Sequence, residues 1–163
     1  MIIPDGARMT DASYLTSNGA QKLRAELAQL KGEGREELAK RLRFAIQQGD
    51  LSENADYTAA KEEQGFLEGR IQELEGILRD VIIIDDVEVS NDQVNIGNMV
   101  TIQEGADPVE TYYLVGPQEA DPANGRISHE SPIGQALLGR RIGEKVTAKT
   151  PAGGITFTIV KIE

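Results

Sequence analysis

The chain has no cysteine and no tryptophan, and a single histidine among its 163 residues. Without thiols there is no disulfide, no zinc ribbon and no cysteine nucleophile. Aromatic residues make up 4% of the sequence, which leaves few rings on which the bases of a single-stranded nucleic acid could stack. Because His129 is the only imidazole, we expect it to be a loop or strand-edge residue without a catalytic role.

Long apolar runs and nucleotide-binding motifs are also missing. No segment approaches the ~20 apolar residues that span a bilayer, and the first residues lack the apolar stretch of a signal peptide. No Walker loop occurs, and no strand is followed by Gly-x-Gly-x-x-Gly. We therefore expect a cytoplasmic protein that has no membrane contact, no tightly bound cofactor and no complete active site of its own.

Basic residues are outnumbered along the whole chain. There are 17 Lys and Arg against 27 Asp and Glu, which gives a formal net charge of -10. Both halves are acidic, with 11 basic against 15 acidic residues in 1–84 and 6 against 12 in 85–163. Because a protein that binds DNA by itself normally has a basic face, we expect no autonomous sequence-specific DNA binding.

Two long segments have helical periodicity. In the first, Gly32 and Gly34 each cost up to about 1 kcal/mol relative to Ala, so we expect a bend or soft point there. The second keeps a heptad pattern for three repeats, which is typical of coiled-coil packing. Joined by the short turn of residues 47–57, they predict an antiparallel helical hairpin. The apolar positions of the first segment are Leu23, Leu27, Leu30, Leu38, Leu42, Ala45 and Ile46. The heptad positions of the second are Tyr57, Ala60, Gln64, Leu67, Ile71, Leu74 and Leu78.

The second half has the pattern of a small sheet with one helix. Short apolar stretches at residues 81–84, 99–102, 111–115, 146–148 and 155–162 alternate with turn signals. Residues 131–139 read as a short helix, capped by Ser131, with Pro132 at its first position and Gly139 after its end. The sequence predicts an α+β protein, with a coiled-coil hairpin in 1–84 and a twisted antiparallel sheet with one short helix in 85–163.

An acidic turn separates the two predicted helices. An EF-hand register beginning at Asp50 requires Gly and Glu where the chain has Ala55 and Lys61, so this is not a calcium loop. Two interpretations of Asp50 and Glu53 stay open. They cap the second helix and stabilise its positive end, or they form half of a Mg²⁺ site that is donated to another protein.

Several motifs in both halves resemble the bacterial Gre family of transcription elongation factors, of the transcript-cleavage type. The resemblance covers about residues 14 to 163. The motifs are residues 49–57 (GDLSENADY), 59–66 (AAKEEQGF), 68–71 (EGRI), 131–134 (SPIG), 136–139 (ALLG) and 150–154 (TPAGG).

The resemblance implies a coiled coil that enters the secondary channel of RNA polymerase and an FKBP-like C-terminal domain that docks at the channel's mouth. It implies that Asp50 and Glu53 help to hold a catalytic Mg²⁺ of the polymerase active site and orient water there. The reaction would be endonucleolytic cleavage of the 3′ end of backtracked RNA. Mg²⁺ would be shared with the polymerase and not bound by the free protein.

Residues near Asp50 and Glu53 are expected to shape the tip or to contact the RNA. Gly49, Leu51, Ser52, Asn54 and Tyr57 are expected to shape the tip, with Tyr57 packing against the opposite helix. The family often carries a basic residue four positions before the tip aspartate, where this chain has Ile46. Lys61 and Arg43 are the candidates for contacting the nascent RNA, although both could simply solvate helix faces.

Two other functions compete with transcript cleavage. A Gre-like inhibitor would occupy the same channel, but such inhibitors tend to carry a denser acidic cluster than the Asp-Leu-Ser-Glu-Asn pattern of this tip. A prolyl isomerase is suggested by the FKBP-like half. Against it stands the shortage of aromatic side chains in that half, where only Tyr112, Tyr113 and Phe157 could line such a pocket, so we predict no isomerase activity.

Overall fold

The computed structural model describes residues 12–49, 54–85 and 90–163. The chain divides into two compact units. One is Ala20–Asp80, and the other combines the described parts of Met1–Gly19 and Val81–Glu163. The boundary between residues 84 and 85 that the sequence suggests stays a prediction.

The first unit contains a helical hairpin. The first arm of the hairpin consists of α1 (Ser17–Gln29), whose first three residues belong to the other unit, a π-helical turn (Leu30–Gly34) and α2 (Arg35–Gln47), and its second arm is α3 (Ala55–Arg79). The π-helical turn coincides with the two glycines at which the sequence predicts a discontinuity. A turn of this kind accommodates one more residue than an α-helical turn and so changes which side chains face the partner helix.

The two arms pack along the predicted heptad seam. All seven seam positions of α3 are buried or half-buried, and Ala60, Ile71 and Leu74 are almost fully enclosed. On α2 the buried residues are Leu38 and Ala45. Full burial of a Leu or Ile side chain stabilises the fold by about 1.5–3 kcal/mol, so this narrow seam is the main apolar contribution to the hairpin. The predicted coiled-coil hairpin is confirmed.

The second unit contains seven strands among its described residues. They are β1 (Ser13–Leu15), β2 (Val81–Ile83), β3 (Met99–Gln103), β4 (Glu110–Val115), β5 (Arg126–Ser128), β6 (Lys145–Thr150) and β7 (Gly153–Ile162). Five of them form a sheet in the order β5-β4-β3-β7-β6. Its pairings are antiparallel except for β4 with β5, a parallel pair that the sequence does not suggest. The two short strands β1 and β2 pair in parallel.

One face of the five-stranded sheet packs against the short helix α4 (Pro132–Leu137). Side chains along β6 and β7 alternate between buried and exposed, as expected for a sheet with one covered face. Leu137 of α4 is completely buried in this core. The α+β class is therefore confirmed. The core residues are Val94, Val100, Ile102, Leu114, Ile127, Leu137, Val146, Ala148, Phe157, Ile159 and Ile162.

A carboxylate from a distant loop holds the first turn of α1. The backbone N–H and the hydroxyl of Thr16 donate to the two oxygens of Glu119, at 2.6 and 2.5 Å. Thr16 in turn accepts a hydrogen bond from the Gly19 backbone N–H, and Arg126 pairs with Glu119 at 3.1 Å. The carboxylate thus lies at the positive end of a helix, where negative charge is favoured.

Within the described ranges, no helix combines the length and the apolar character that crossing a membrane would require.

The hairpin tip as a candidate functional site

Asn54 joins the two arms of the hairpin at the acidic turn. Its side-chain oxygen accepts a hydrogen bond from the Tyr57 backbone N–H at 3.1 Å, which caps the start of α3. Its side-chain nitrogen donates to the Ala45 backbone carbonyl near the end of α2 at 2.7 Å. The Asn54 side chain therefore accepts a hydrogen bond from a free backbone N–H of α3 and donates one to a backbone carbonyl of α2.

The end of α2 is also defined by backbone geometry. The N–H groups of Gln48 and Gly49 donate to the carbonyls of Ala45 and Ile46 at 3.3 and 3.4 Å. Gly49 has a φ of +107°, a conformation that side-chain-bearing residues rarely adopt. The backbone therefore turns at Gly49, two residues after the end of α2. Asn54 precedes the first residue of α3 and is hydrogen-bonded to Ala45 of α2.

Residues 50–53, between Gly49 and Asn54, include the two acidic residues that are predicted to bind Mg²⁺. Asp50, Leu51, Ser52 and Glu53 lie outside the described residues. Their assigned roles therefore stay predictions, as does the sharing of a Mg²⁺ ion by Asp50 and Glu53. In the part of the chain that is described, histidine and acidic side chains nowhere form a group of three or more that could hold a metal ion.

The remaining predicted site residues lie on the first turns outward from the tip. Tyr57 is half-buried in the first turn of α3, at the beginning of the seam. Arg43 on α2 and Lys61 on α3 are both exposed, and the Lys61 ammonium donates to the Gln64 side chain at 3.0 Å. Ile46, the residue at the position where the family often has a basic one, is 51% exposed.

One exposed residue near the tip was not singled out by the sequence. Phe44 lies on α2 outside the seam formed by Leu38, Leu42 and Ala45, and 62% of its surface is accessible. The signal that identifies it is its phase, because Phe44 does not share the three- and four-residue spacing that joins Leu38, Leu42 and Ala45 on one face of the helix.

Ion pairs between the arms flank the seam. They join Glu26 to Arg70, Lys31 to Glu75, Arg35 to Glu68 and Arg41 to Glu63. The Arg70 guanidinium donates to both oxygens of Glu26, at 2.8 and 3.1 Å, and this contact holds the pKa of Glu26 below its usual value. In the same way, hydrogen bonds from Arg35 lower the pKa of Glu68. Single exposed pairs contribute little, but paired guanidinium contacts have a defined geometry that fixes the alignment of the arms.

His129 is placed in the sheet unit. Its ring packs edge-on against Tyr14, with 5.3 Å between the ring centroids, and its Nδ1 lies 3.4 Å from the Val115 carbonyl. These are packing contacts rather than the relay partners of a catalytic histidine.

Two family models of transcription elongation factors together match most of the chain. The model described as "Transcription elongation factor, N-terminal" matches residues 13–83, and the one described as "Transcription elongation factor, GreA/GreB, C-term" matches residues 89–163. The class of protein is therefore that of a transcription elongation factor.

Whole-chain relatives narrow this class. A protein named transcription elongation factor GreA from Roseiflexus sp. (strain RS-1) is 47% identical over 152 residues, which are 93% of this chain and 97% of the relative. Its namesake from Bacillus cereus (strain ATCC 14579) is 47% identical over 156 residues, 94% of this chain and 99% of the relative. The solved structure of GreA factor homolog 1 (Gfh1) of Thermus thermophilus is 30% identical, covers 93% of this chain and 99% of its own, and has a TM-score of 0.42. The two family models and the two GreA relatives show that the chain belongs to the GreA/GreB family of transcription elongation factors.

Proposed function

We propose that this chain is an accessory to catalysis by RNA polymerase. The hairpin enters the secondary channel and carries Asp50 and Glu53 to the active site. There the two carboxylates complete a Mg²⁺ site at which the polymerase hydrolyses the 3′ end of backtracked RNA. Membership of the GreA/GreB family supports this function.

The observation that carries the proposal is the way the hairpin closes around its acidic turn. Asn54 bonds to Ala45 across the arms, so the described residues that precede and follow Asp50 and Glu53 in the sequence are joined at one end of the hairpin. The 25 residues of α3 extend for about 37 Å at 1.5 Å per residue. A paired helix of that length is suited to delivering two side chains into a deep and narrow opening.

The chemistry of the two side chains fits the ion. Mg²⁺ prefers oxygen ligands and usually takes one or two carboxylates from a single partner. In two-metal phosphodiester cleavage one ion would activate the water and the other would stabilise the leaving oxygen, and Asp50 and Glu53 would help to hold one of the two. Asp50 and Glu53 supply the missing ligands and orient the water, and the remaining ligands come from the polymerase. The isolated chain is then inert, because it provides half of a site.

Arg43 and Lys61 are proposed to contact the RNA 3′ segment. Both are exposed within a few turns of the acidic turn, one on each arm. Because Ile46 stands where the family often has a basic residue, the basic surface that faces the RNA is weaker, or is displaced towards Arg43 and Lys61. Contacts to phosphate fix position without reading sequence, which suits a factor that acts on any stalled transcript.

The test uses stalled, backtracked elongation complexes with Mg²⁺. The unmodified chain should release short RNA fragments from the 3′ end. The variants Asp50→Asn and Glu53→Gln keep the size of each side chain but lose its charge. We expect each to lower the cleavage rate about 100-fold or more, because a metal ligand contributes a few kcal/mol and each 1.4 kcal/mol is a factor of ten.

Two controls separate chemistry from binding. Glu62→Gln removes an exposed carboxylate from the outer face of α3 and should leave cleavage unchanged. The Asp50 and Glu53 variants should still compete with the unmodified chain for the polymerase. Cleavage at the normal rate by the double variant would reject the assigned roles. Inhibition of RNA synthesis without any cleavage by the unmodified chain would favour the alternative of a Gre-like inhibitor.

A further inference from the structure

A cleft of about 110 Å³ lies in the sheet unit, between α4 and the strands β3, β4 and β7. Its apolar lining comes from Ile102, Ile133, Ile155 and Phe157, with the ring of Tyr112 at one side. The volume is smaller than that of an engineered cavity of about 150 Å³ that binds benzene. The cleft is therefore of a size for one side chain rather than for a larger cofactor.

The opening of the cleft is acidic. Glu104, Asp107 and Glu110 line it, and all three are exposed to solvent. The Tyr112 hydroxyl donates to the Glu110 carboxylate at 2.6 Å, which holds that carboxylate beside the aromatic ring. An apolar lining under a negatively charged opening is complementary to a ligand with an aliphatic stem and a cationic end.

The carboxylates at the opening do not form a group of three that could hold a metal ion, and this bears on which cation the cleft would bind. Among the described residues, no three acidic or histidine side chains converge closely enough to bind a metal ion, and this includes the three at the cleft. A guanidinium is broad and planar, offers five N–H donors, and stacks on aromatic faces. It can contact separated carboxylates together with the Tyr112 ring, which a compact ion cannot do.

We propose that this cleft binds an arginine side chain presented by a partner protein. The stem of the arginine lies on the isoleucines and Phe157, and its guanidinium contacts the carboxylates at the opening. This assignment is independent of the transcript-cleavage proposal, because it concerns the sheet unit and requires no residue of the hairpin tip. It also differs from a prolyl-isomerase pocket, which would have to receive an uncharged proline ring.

The test is a titration of the full chain, with its isoleucine methyl groups labelled, followed by NMR. The probes are three capped tripeptides with a central arginine, citrulline or proline. Citrulline has nearly the shape of arginine but no charge. The arginine peptide should shift the methyl signals of Ile102, Ile133 and Ile155 in a saturable way, while those of Ile46 and Ile71 in the hairpin stay in place. The citrulline peptide should bind about tenfold more weakly, because hydrogen bonds to charged groups are the stronger ones.

Matched variants test the role of the acidic opening. Glu104→Gln combined with Asp107→Asn should weaken binding of the arginine peptide about tenfold. Asp92→Asn combined with Glu130→Gln removes the same charge from exposed positions outside the cleft and should have no effect. The methyl spectrum of each variant shows directly whether it is folded. Equal shifts with citrulline, larger shifts with proline, or no shift at millimolar arginine peptide would each overturn the proposal.

Discussion

Single polar side chains determine where the helices of this protein begin and end. Asn54 is the clearest case, because its amide bonds to both arms of the hairpin. Asn54→Ala should lower the free energy of unfolding of the hairpin by about 1–2 kcal/mol, since it loses a helix cap and leaves the Ala45 carbonyl without that donor. Urea denaturation followed by the circular dichroism of the helices measures this change.

The control for this substitution is Asn91→Ala, which changes an exposed asparagine in a loop of the sheet unit. It should alter stability by less than about 0.5 kcal/mol, as most surface substitutions do. If Asn54→Ala were equally neutral, the bridging amide would have no stabilising role. The turn would then depend on backbone geometry alone.

Contacts between neighbouring residues in the sequence were predictable, whereas contacts between distant ones were not. Ser131 was expected to cap α4, and its hydroxyl accepts a hydrogen bond from the Gly134 N–H at 3.1 Å. Gly139 was expected after the helix end, where it has a φ of +76°. The bond from Thr16 to Glu119 could not be predicted, because the two residues are 103 positions apart. Nothing in local composition selects one carboxylate among 27 acidic residues as its partner.

Helices were easier to predict than strand pairings, because a helix depends on residues that are close in the sequence, whereas a strand pairing joins residues that are distant in it. The heptad of α3 repeats within one segment, so the sequence alone identifies the buried face. The two glycines of the first arm also marked the irregular turn correctly in position. The short strands β1 and β5 were missed, and both form parallel pairs. Each has three residues, too few for an alternating pattern to stand out.

Pairing between the arms makes the stability of the hairpin depend on pH. Arg70 bonds to Glu26 on the other arm and to Glu73 on its own helix. The pKa of Glu26 is lowered in the folded chain, so its contribution is present above the unfolded pKa of about 4.3. That contribution is lost as the pH falls through the lower folded value. Arg70→Met should therefore destabilise the hairpin at pH 7 by up to about 1 kcal/mol, which is the range for exposed pairs.

The difference between the unmodified chain and Arg70→Met should shrink in acid, and urea denaturation at a series of pH values measures it. Lys40→Met is a suitable control, because Lys40 pairs only with Glu36 of its own helix among the described residues, at 3.4 Å. At neutral pH, Lys40→Met should lower the free energy of unfolding by less than Arg70→Met does. A difference for Arg70→Met that stays constant from pH 7 to strongly acidic solution would show that lost packing, not charge, causes the destabilisation.

The charge of the whole molecule bears on how it would meet its RNA substrate. Both halves of the sequence are acidic, and the formal net charge is -10. Such a chain repels the phosphates of free nucleic acid, so the proposed contacts from Arg43 and Lys61 would become favourable only where another protein has already placed the RNA. If the proposed function holds, the chain would act on transcripts inside a polymerase and leave free transcripts alone.

We expect the isolated protein to bind neither duplex DNA nor single-stranded RNA more tightly than about 10⁻⁴ M at physiological salt, the weak limit of ordinary non-specific binding. Fluorescence anisotropy with labelled oligonucleotides measures this. Tighter binding that weakens as salt is raised would reveal a local basic surface strong enough to overcome the net charge. Arg43→Glu combined with Lys61→Glu would then show whether these two residues form it. If that variant abolished the binding, Arg43 and Lys61 would contact RNA without another protein to place it, and the argument from net charge would be wrong.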